Sequence, residues 1–256
     1  MLIKAKELKG YKLNGLDGEV GKVKEFYFDD QHWAIRYLVA DTGNWLTGRQ
    51  VLISPYALTV VNKEAEHINL NLSKKQIENS PSLDSDKPVS QQFEVGYFGY
   101  YGYPIYWGGS CMWGYYPNIV WDSKEWRKTV QEEKTWDSHL RSTNEVSGYH
   151  LQANDGEIGH VKDFIIDDET WAIRYLIIDT TNWFAGKKVL ISPKWIDHIS
   201  WNDSKVFLNL SSEEIRLAPE YSEEDLLTRE YETQLHQHYN RKVYWSEKPE
   251  NRKILL

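Results

Sequence analysis

The chain has 256 residues, enough for one large domain or two small ones, and two is the better reading. With 41% apolar residues, 27% charged residues and a mean hydropathy of -0.63, it is neither a multi-span membrane protein nor a disordered tail. Lys and Arg number 30 against 38 Asp and Glu, and the formal charge of -8 disfavours nucleic acid as a partner. The single cysteine, Cys111, rules out an internal disulfide or a thiolate zinc site and suits a reducing compartment.

In chain order, residues 1–9 interrupt every apolar pair with charge and lack the apolar core of a signal peptide, so a cytoplasmic protein is expected. Residues 11–13 and 19–28 flank Asp17-Gly18, a strong hairpin signal because both residues tolerate positive φ. Residues 33–41 are apolar on nearly both faces and read as a central strand. A short run over 51–54 is stopped by Pro55, and Ile68, Leu70 and Leu72 alternate with polar neighbours as a half-exposed strand. Ser73 with Gln76 three residues on has the spacing of a capping box opening a helix. Residues 95–121 carry no charge, yet their bulk is Gly, Pro, Tyr and Trp, which argues against a membrane span. Residues 122–140 mix charge with Trp126 and Trp136 and read as a solvated tether.

Much of this then recurs. Residues 17–26 return at 155–164, 33–38 at 171–176 and 51–55 at 189–193, at a constant offset of 138. Aligning 10–81 with 148–219 gives 34 identities in 72 positions, and Ser211 with Glu214 repeats the capping box. The same offset places Tyr101, Tyr106 and Trp107 on Tyr239, Tyr244 and Trp245, so the repeated unit includes an aromatic tail. About six short strands per copy with regular turns point to a small closed or nearly closed β-barrel rather than a βαβ fold. A unit of this size is near the lower limit for a self-sufficient core.

The pattern D-G-E-[VI]-G-x-V-K-[ED]-F, then W-A-I-R-Y-L, then D-T-x-N-W-x-x-G-[KR]-x-V-L-I-S-P resembles the PRC-barrel family in both copies. That family is named for the cytoplasmic domain of the H-subunit of the purple bacterial photosynthetic reaction centre, and it also includes a domain of a ribosome-maturation factor. The resemblance implies a barrel that docks on another protein. The expected architecture is all-β: two tandem PRC-type small barrels related by pseudo-two-fold symmetry, with a short helix after each. The expected boundaries are a first barrel with its helix at 1–92, an aromatic tail and linker at 93–138, a second barrel with a helical tail at 139–245, and an extension at 246–256.

Candidate functional residues follow from chemistry. Arg36 and Arg174 lie mid-strand, and a buried guanidinium needs a carboxylate, either Asp41 and Asp179 respectively or a residue across the sheet. The polar residues kept in both copies, such as Asp17, Asp29 and Asp30, read as turn-forming. Trp33, Trp45, Trp171 and Trp183 survive duplication and read as core, with Trp45 and Trp183 also candidates for a protein contact. Tyr101, Tyr106, Trp107, Tyr239, Tyr244 and Trp245 are the main partner-binding candidates, and Trp113, Tyr115 and Tyr116 add to the same dense aromatic stretch. His236 and His238 have metal-like spacing if extended. However, Ser222 with Asp225 and the run Leu226, Leu227, Tyr231 and Leu235 read as a capped amphipathic helix on which the two histidines point apart. No nucleophile elbow, phosphate loop or zinc motif occurs, so no catalytic residue, metal or cofactor is expected. The expected function is a non-enzymatic protein-interaction or adaptor module, peripheral to a membrane complex or free, with a homodimer allowed. The alternatives are an H-subunit-like role in photosynthetic electron and proton transfer and a binding role in ribosome assembly.

Overall fold

The computed structural model describes residues 1–46, 50–81, 91–103, 139–180, 187–200, 202–222 and 227–246, and of residues 91–95 the backbone alone. The first repeat runs β1 (Leu2–Lys4), α1 (Ala5–Leu8), β2 (Lys12–Gly15), β3 (Gly18–Asp29), β4 (Ala34–Asp41), β5 (Val51–Ile53), a 3-10 turn (Pro55–Ala57), β6 (Leu58–Asn62), β7 (His67–Leu70), α2 (Lys74–Glu78) and α3 (Gln91–Tyr101). The second runs β8 (Leu140–Ser142), α4 (Thr143–Val146), β9 (His150–Ala153), β10 (Gly156–Asp167), β11 (Ile173–Asp179), β12 (Lys188–Ile191), a 3-10 turn (Pro193–Trp195), β13 (Ile196–Ser200), β14 (Lys205–Leu208), α5 (Ser212–Arg216) and α6 (Arg229–His238). Each repeat is built around one sheet, and the fold is all-β with a few short helices.

The strand order is β5-β4-β3-β2-β7-β6 in one sheet and β12-β11-β10-β9-β14-β13 in the other. β2 and β7 pair in parallel, as do β9 and β14. Among the described residues neither path closes, because β5 and β6 are both end strands, and so are β12 and β13. Pro55 and Pro193 explain this: each opens a 3-10 turn that carries the chain from one end strand to the other in place of ladder hydrogen bonds. The glycine of the repeated D-G-E-[VI]-G motif is dictated by close approach. A Cβ at Gly21 would collide with the carbonyl oxygen of Asp41, and one at Gly159 with that of Asp179. The capping boxes form as spaced, with Ser73 and Gln76 opening α2 and Ser211 and Glu214 opening α5.

Two short strands were not anticipated. β1 pairs antiparallel with β10, setting Leu2, Ile3 and Lys4 against Asp167, Ile166 and Ile165. β8 does the same to β3, setting Leu140, Arg141 and Ser142 against Asp29, Phe28 and Tyr27. The two registers are the same after adding 138, so each repeat supplies its leading strand to the long strand of the other. Ala34 bridges Ala172, its own equivalent, while Ile35 N–H donates to Trp171 at 2.8 Å and Ile173 N–H to Trp33 at 2.7 Å. The compact units therefore do not coincide with the repeats: one comprises residues 1–146 together with 163–174, the other 147–162 together with 175–256.

Inside the first unit, Phe26, Phe28, Tyr37, Leu38 and Phe164 are fully buried, and every residue of β4 except Asp41 is buried, as a central strand requires. In the second unit, Leu151, Val161, Tyr175, Leu190 and Val206 fill the core.

Candidate functional site

Arg36 is 1% exposed and its Nη1 donates to Asp29 Oδ2 at 3.4 Å. Arg174 meets Asp167 with Nη2 at 2.7 Å and Nε at 3.1 Å. The structure thus brings each arginine to the carboxylate across the hairpin. Asp41 instead sits at the exposed end of β4, where it accepts the Gly43 N–H at 3.0 Å, and Asp179 stands opposite Lys188 in the ladder. Asp29 also accepts the N–H groups of Gln31 and His32, so one buried carboxylate fixes both turn and strand. Trp33 and Trp171 enter this turn rather than the strand, with φ of 54° and 55°. That left-handed conformation is strained for an indole, and it aims their carbonyls at Ile173 and Ile35. Phe28 stacks on Trp33 at 5.4 Å and helps hold it there.

The aromatic tail of the first repeat is the helix α3. Tyr97 and Phe98 are buried against Tyr37, Val39 and Leu52. The Tyr97 hydroxyl accepts the Ser54 N–H at 2.9 Å and donates to the Leu52 carbonyl at 3.0 Å. Burial pushes this phenol well above its ordinary range, so it stays a neutral donor. Tyr101 stacks on Tyr103 at 5.4 Å on the same barrel, partly buried.

In the second repeat α6 takes the equivalent place by other chemistry. It starts at Arg229 with Thr228 as N-cap, later than the Ser222 start read from the sequence. His236 stands where the first repeat has Phe98 and is 2% exposed, while Glu232 is 1% exposed. Tyr175 donates to Glu232 Oε1 at 2.9 Å and lies 3.0 Å from His236 Nε2. Burial, with Glu232 beside it, pushes the Tyr175 phenol far up. Tyr239 is buried on Trp195 at 4.4 Å. His238 points away and meets the Glu214 carbonyl, so the two histidines do not converge on one site. Glu232 was missed in the sequence, although its spacing of four from His236 puts both on the face that carries Leu235 and Tyr239.

Among the described residues, Trp45, Tyr100 and Trp245 are the large aromatics that stay exposed. Trp45 is 37% exposed, its Nε1 donating to the Val20 carbonyl and its face covered by Lys74. Trp245 is 40% exposed, and Arg229 lies 4.3 Å over its ring while donating to the Tyr244 hydroxyl at 2.7 Å and to buried Glu232 at 3.0 Å. The guanidinium is thereby held by a buried anion and an exposed indole. Tyr106, Trp107, Trp113, Tyr115, Tyr116, Cys111 and Trp183 lie outside the described residues, as do most of the expected linker and tail extension. No helix among the described residues is long and apolar enough to cross a membrane.

These features define a duplicated all-β protein whose repeats exchange strands and dock a helix each. The PRC-barrel domain profile matches residues 2–77 and 144–215, together more than half of the chain, so the protein belongs to the PRC-barrel family. It is 30% identical over 79 residues to an uncharacterised protein of Deinococcus radiodurans; the match covers 30% of this chain and 28% of that protein's length. Two copies of this domain fit a non-enzymatic module.

Proposed function

We propose that the protein is a cytoplasmic adaptor that docks on a protein partner through its exposed aromatic surface. The observation that carries this reading is the Arg229, Tyr244 and Trp245 cluster. Trp, Tyr and Arg are the residues that dominate binding energy at protein interfaces, and here they are held ready by a buried carboxylate. Because Arg229 is fixed from below by Glu232, little side-chain entropy is lost when a partner covers it. Trp45 offers a second contact of the same type.

The test is affinity capture from the native organism with the tagged chain beside Trp245→Ala and Trp45→Ala, both at exposed positions. A dominant partner recovered with the parent chain and depleted at least tenfold with Trp245→Ala is expected. A partner retained equally by both variants would remove the aromatic surface from the function.

A further inference from the structure

The four end strands of the two sheets are not protected alike. An open sheet edge is a row of unpaired backbone groups, which proteins ordinarily cover or charge. At the β5 end, the Tyr97 hydroxyl occupies the Ser54 N–H and the Leu52 carbonyl. Along β12, the Tyr221 N–H occupies the Lys188 carbonyl at 2.8 Å. β13 carries exposed Asp197 and His198, paired at 2.7 Å. β6 reads Leu-Thr-Val-Val-Asn without a charge, pairs only with β7 among the described strands, and leaves Val60 53% exposed.

Beside β6 lies a groove of about 610 Å³, wholly within the first compact unit. Tyr56, Val60 and Val61 line it together with Trp171, Asp168 and Glu169 from the turn of the second repeat. Its size is in the range of pockets that enclose a ligand of a few residues. Asp168 is already met by the Met1 amino group, which leaves the exposed Glu169 carboxylate to set the sign of the field.

We propose that β6 is a docking strand for an extended segment of a partner protein, added to the sheet edge, with apolar side chains at alternate positions and a Lys or Arg facing Glu169. Backbone pairing along an edge supplies affinity, and alternate side-chain pockets supply selectivity. The charge pattern selects this occupant over a second copy of the chain. Edge-to-edge pairing of two β6 strands would bring in a second exposed Glu169 carboxylate, on a molecule whose formal charge is already -8. The inference deepens the adaptor reading but uses a surface distinct from Trp245, so the two fail separately.

The experiment selects a displayed library of random seven-residue peptides on the full chain, then measures the enriched peptides by calorimetry against the parent, Val60→Lys and Glu169→Lys. Both positions are exposed, and circular dichroism checks that each variant folds. The expected result is enrichment of peptides alternating apolar residues with Lys or Arg, at least tenfold weaker binding to Val60→Lys, and a shift of selection toward acidic peptides on Glu169→Lys. Absence of enrichment over Val60→Lys, or equal affinity for all three chains, overturns the proposal. So does sedimentation showing a parent dimer that Val60→Lys dissolves, since the occupant is then a second copy. A cellular partner lost with Trp245→Ala and kept with Val60→Lys also overturns it while leaving the adaptor reading standing.

Discussion

Asp163 and Asp167 lie four residues apart on β10 and titrate in opposite directions. Burial raises Asp163 to about 6, against the hydrogen bonds it accepts from Phe164 and Lys6. Burial also acts on Asp167, but the hydrogen bonds and charge of Arg174 outweigh it and hold that carboxyl below its ordinary value. The folded chain thus binds the Asp163 proton more tightly than the unfolded chain does. The resulting stability is fully present below 3.8 and is lost as pH rises through about 6. At roughly 1.4 kcal/mol for each tenfold change in proton affinity, the contribution is on the order of 3 kcal/mol. Asp163→Asn should abolish this dependence, so urea midpoints that fall between pH 4 and 7 in the parent should stay nearly level in the variant. An unchanged slope would assign the dependence to other groups. For Asp167 the sign is reversed: its contribution is present above its unfolded value and fades as pH falls through its lowered native one. The same pairing rule predicts that Asp29→Ala, which removes the carboxylate that buried Arg36 meets, costs about 3–5 kcal/mol in chemical denaturation. The need for such a carboxylate was legible from a mid-strand Arg, but its identity was not, since Asp29 reaches Arg36 only once β3 and β4 are in register.

At the scale of elements, α3 and α6 show how one docking position accepts two chemistries. α3 is pinned by a phenol on the backbone of the β5 end, α6 by a buried Glu with a Tyr and an Arg. Tyr97→Phe removes one hydroxyl that serves two backbone groups, and we expect a loss of about 1–3 kcal/mol. Glu232→Ala takes that carboxylate from the buried Tyr175 hydroxyl and from the solvent-facing Arg229, and we expect about 1–3 kcal/mol. Hydrogen exchange separates the two: Tyr97→Phe should loosen α3 alone, and Glu232→Ala α6 alone. Simultaneous loosening of both helices would mean that they report on one global unfolding step instead. The capping boxes and the central strands were readable because cap spacing and strand alternation are local signals. β1 and β8 were not, because three-residue strands carry too little periodicity to read and owe their existence to the long strands they join.

For the molecule as a whole, the reciprocal registers of β1 on β10 and β8 on β3 make each repeat dependent on a strand from the other. A chain beginning at residue 139 lacks β1, leaving the outer edge of β10 open while still carrying β8, the equivalent strand. We expect it to sediment as a dimer in which each β8 fills the β10 edge of the other copy. A stable monomer would show that the exchanged strand contributes little. In the full chain, Ile3→Ala, at a residue 2% exposed and opposite Ile166, should cost about 2–5 kcal/mol, read by thermal unfolding.

The amino-acid sequence by itself determined the duplication, the offset of 138, the hairpins, the helix caps and the family, because these rest on residue identity and local spacing. It also marked the arginines, the repeated tryptophans and the aromatic tails as the residues to explain. Tertiary structure alone decided which carboxylate each arginine meets and that Trp33 and Trp171 turn left-handed to aim their carbonyls across the repeats. It also decided which aromatics are core and which face solvent, and that the compact units cut across the repeats. The physical reason is that strand exchange and edge exposure are properties of pairing between segments distant in sequence, and a register set at a distance leaves no local trace in either partner.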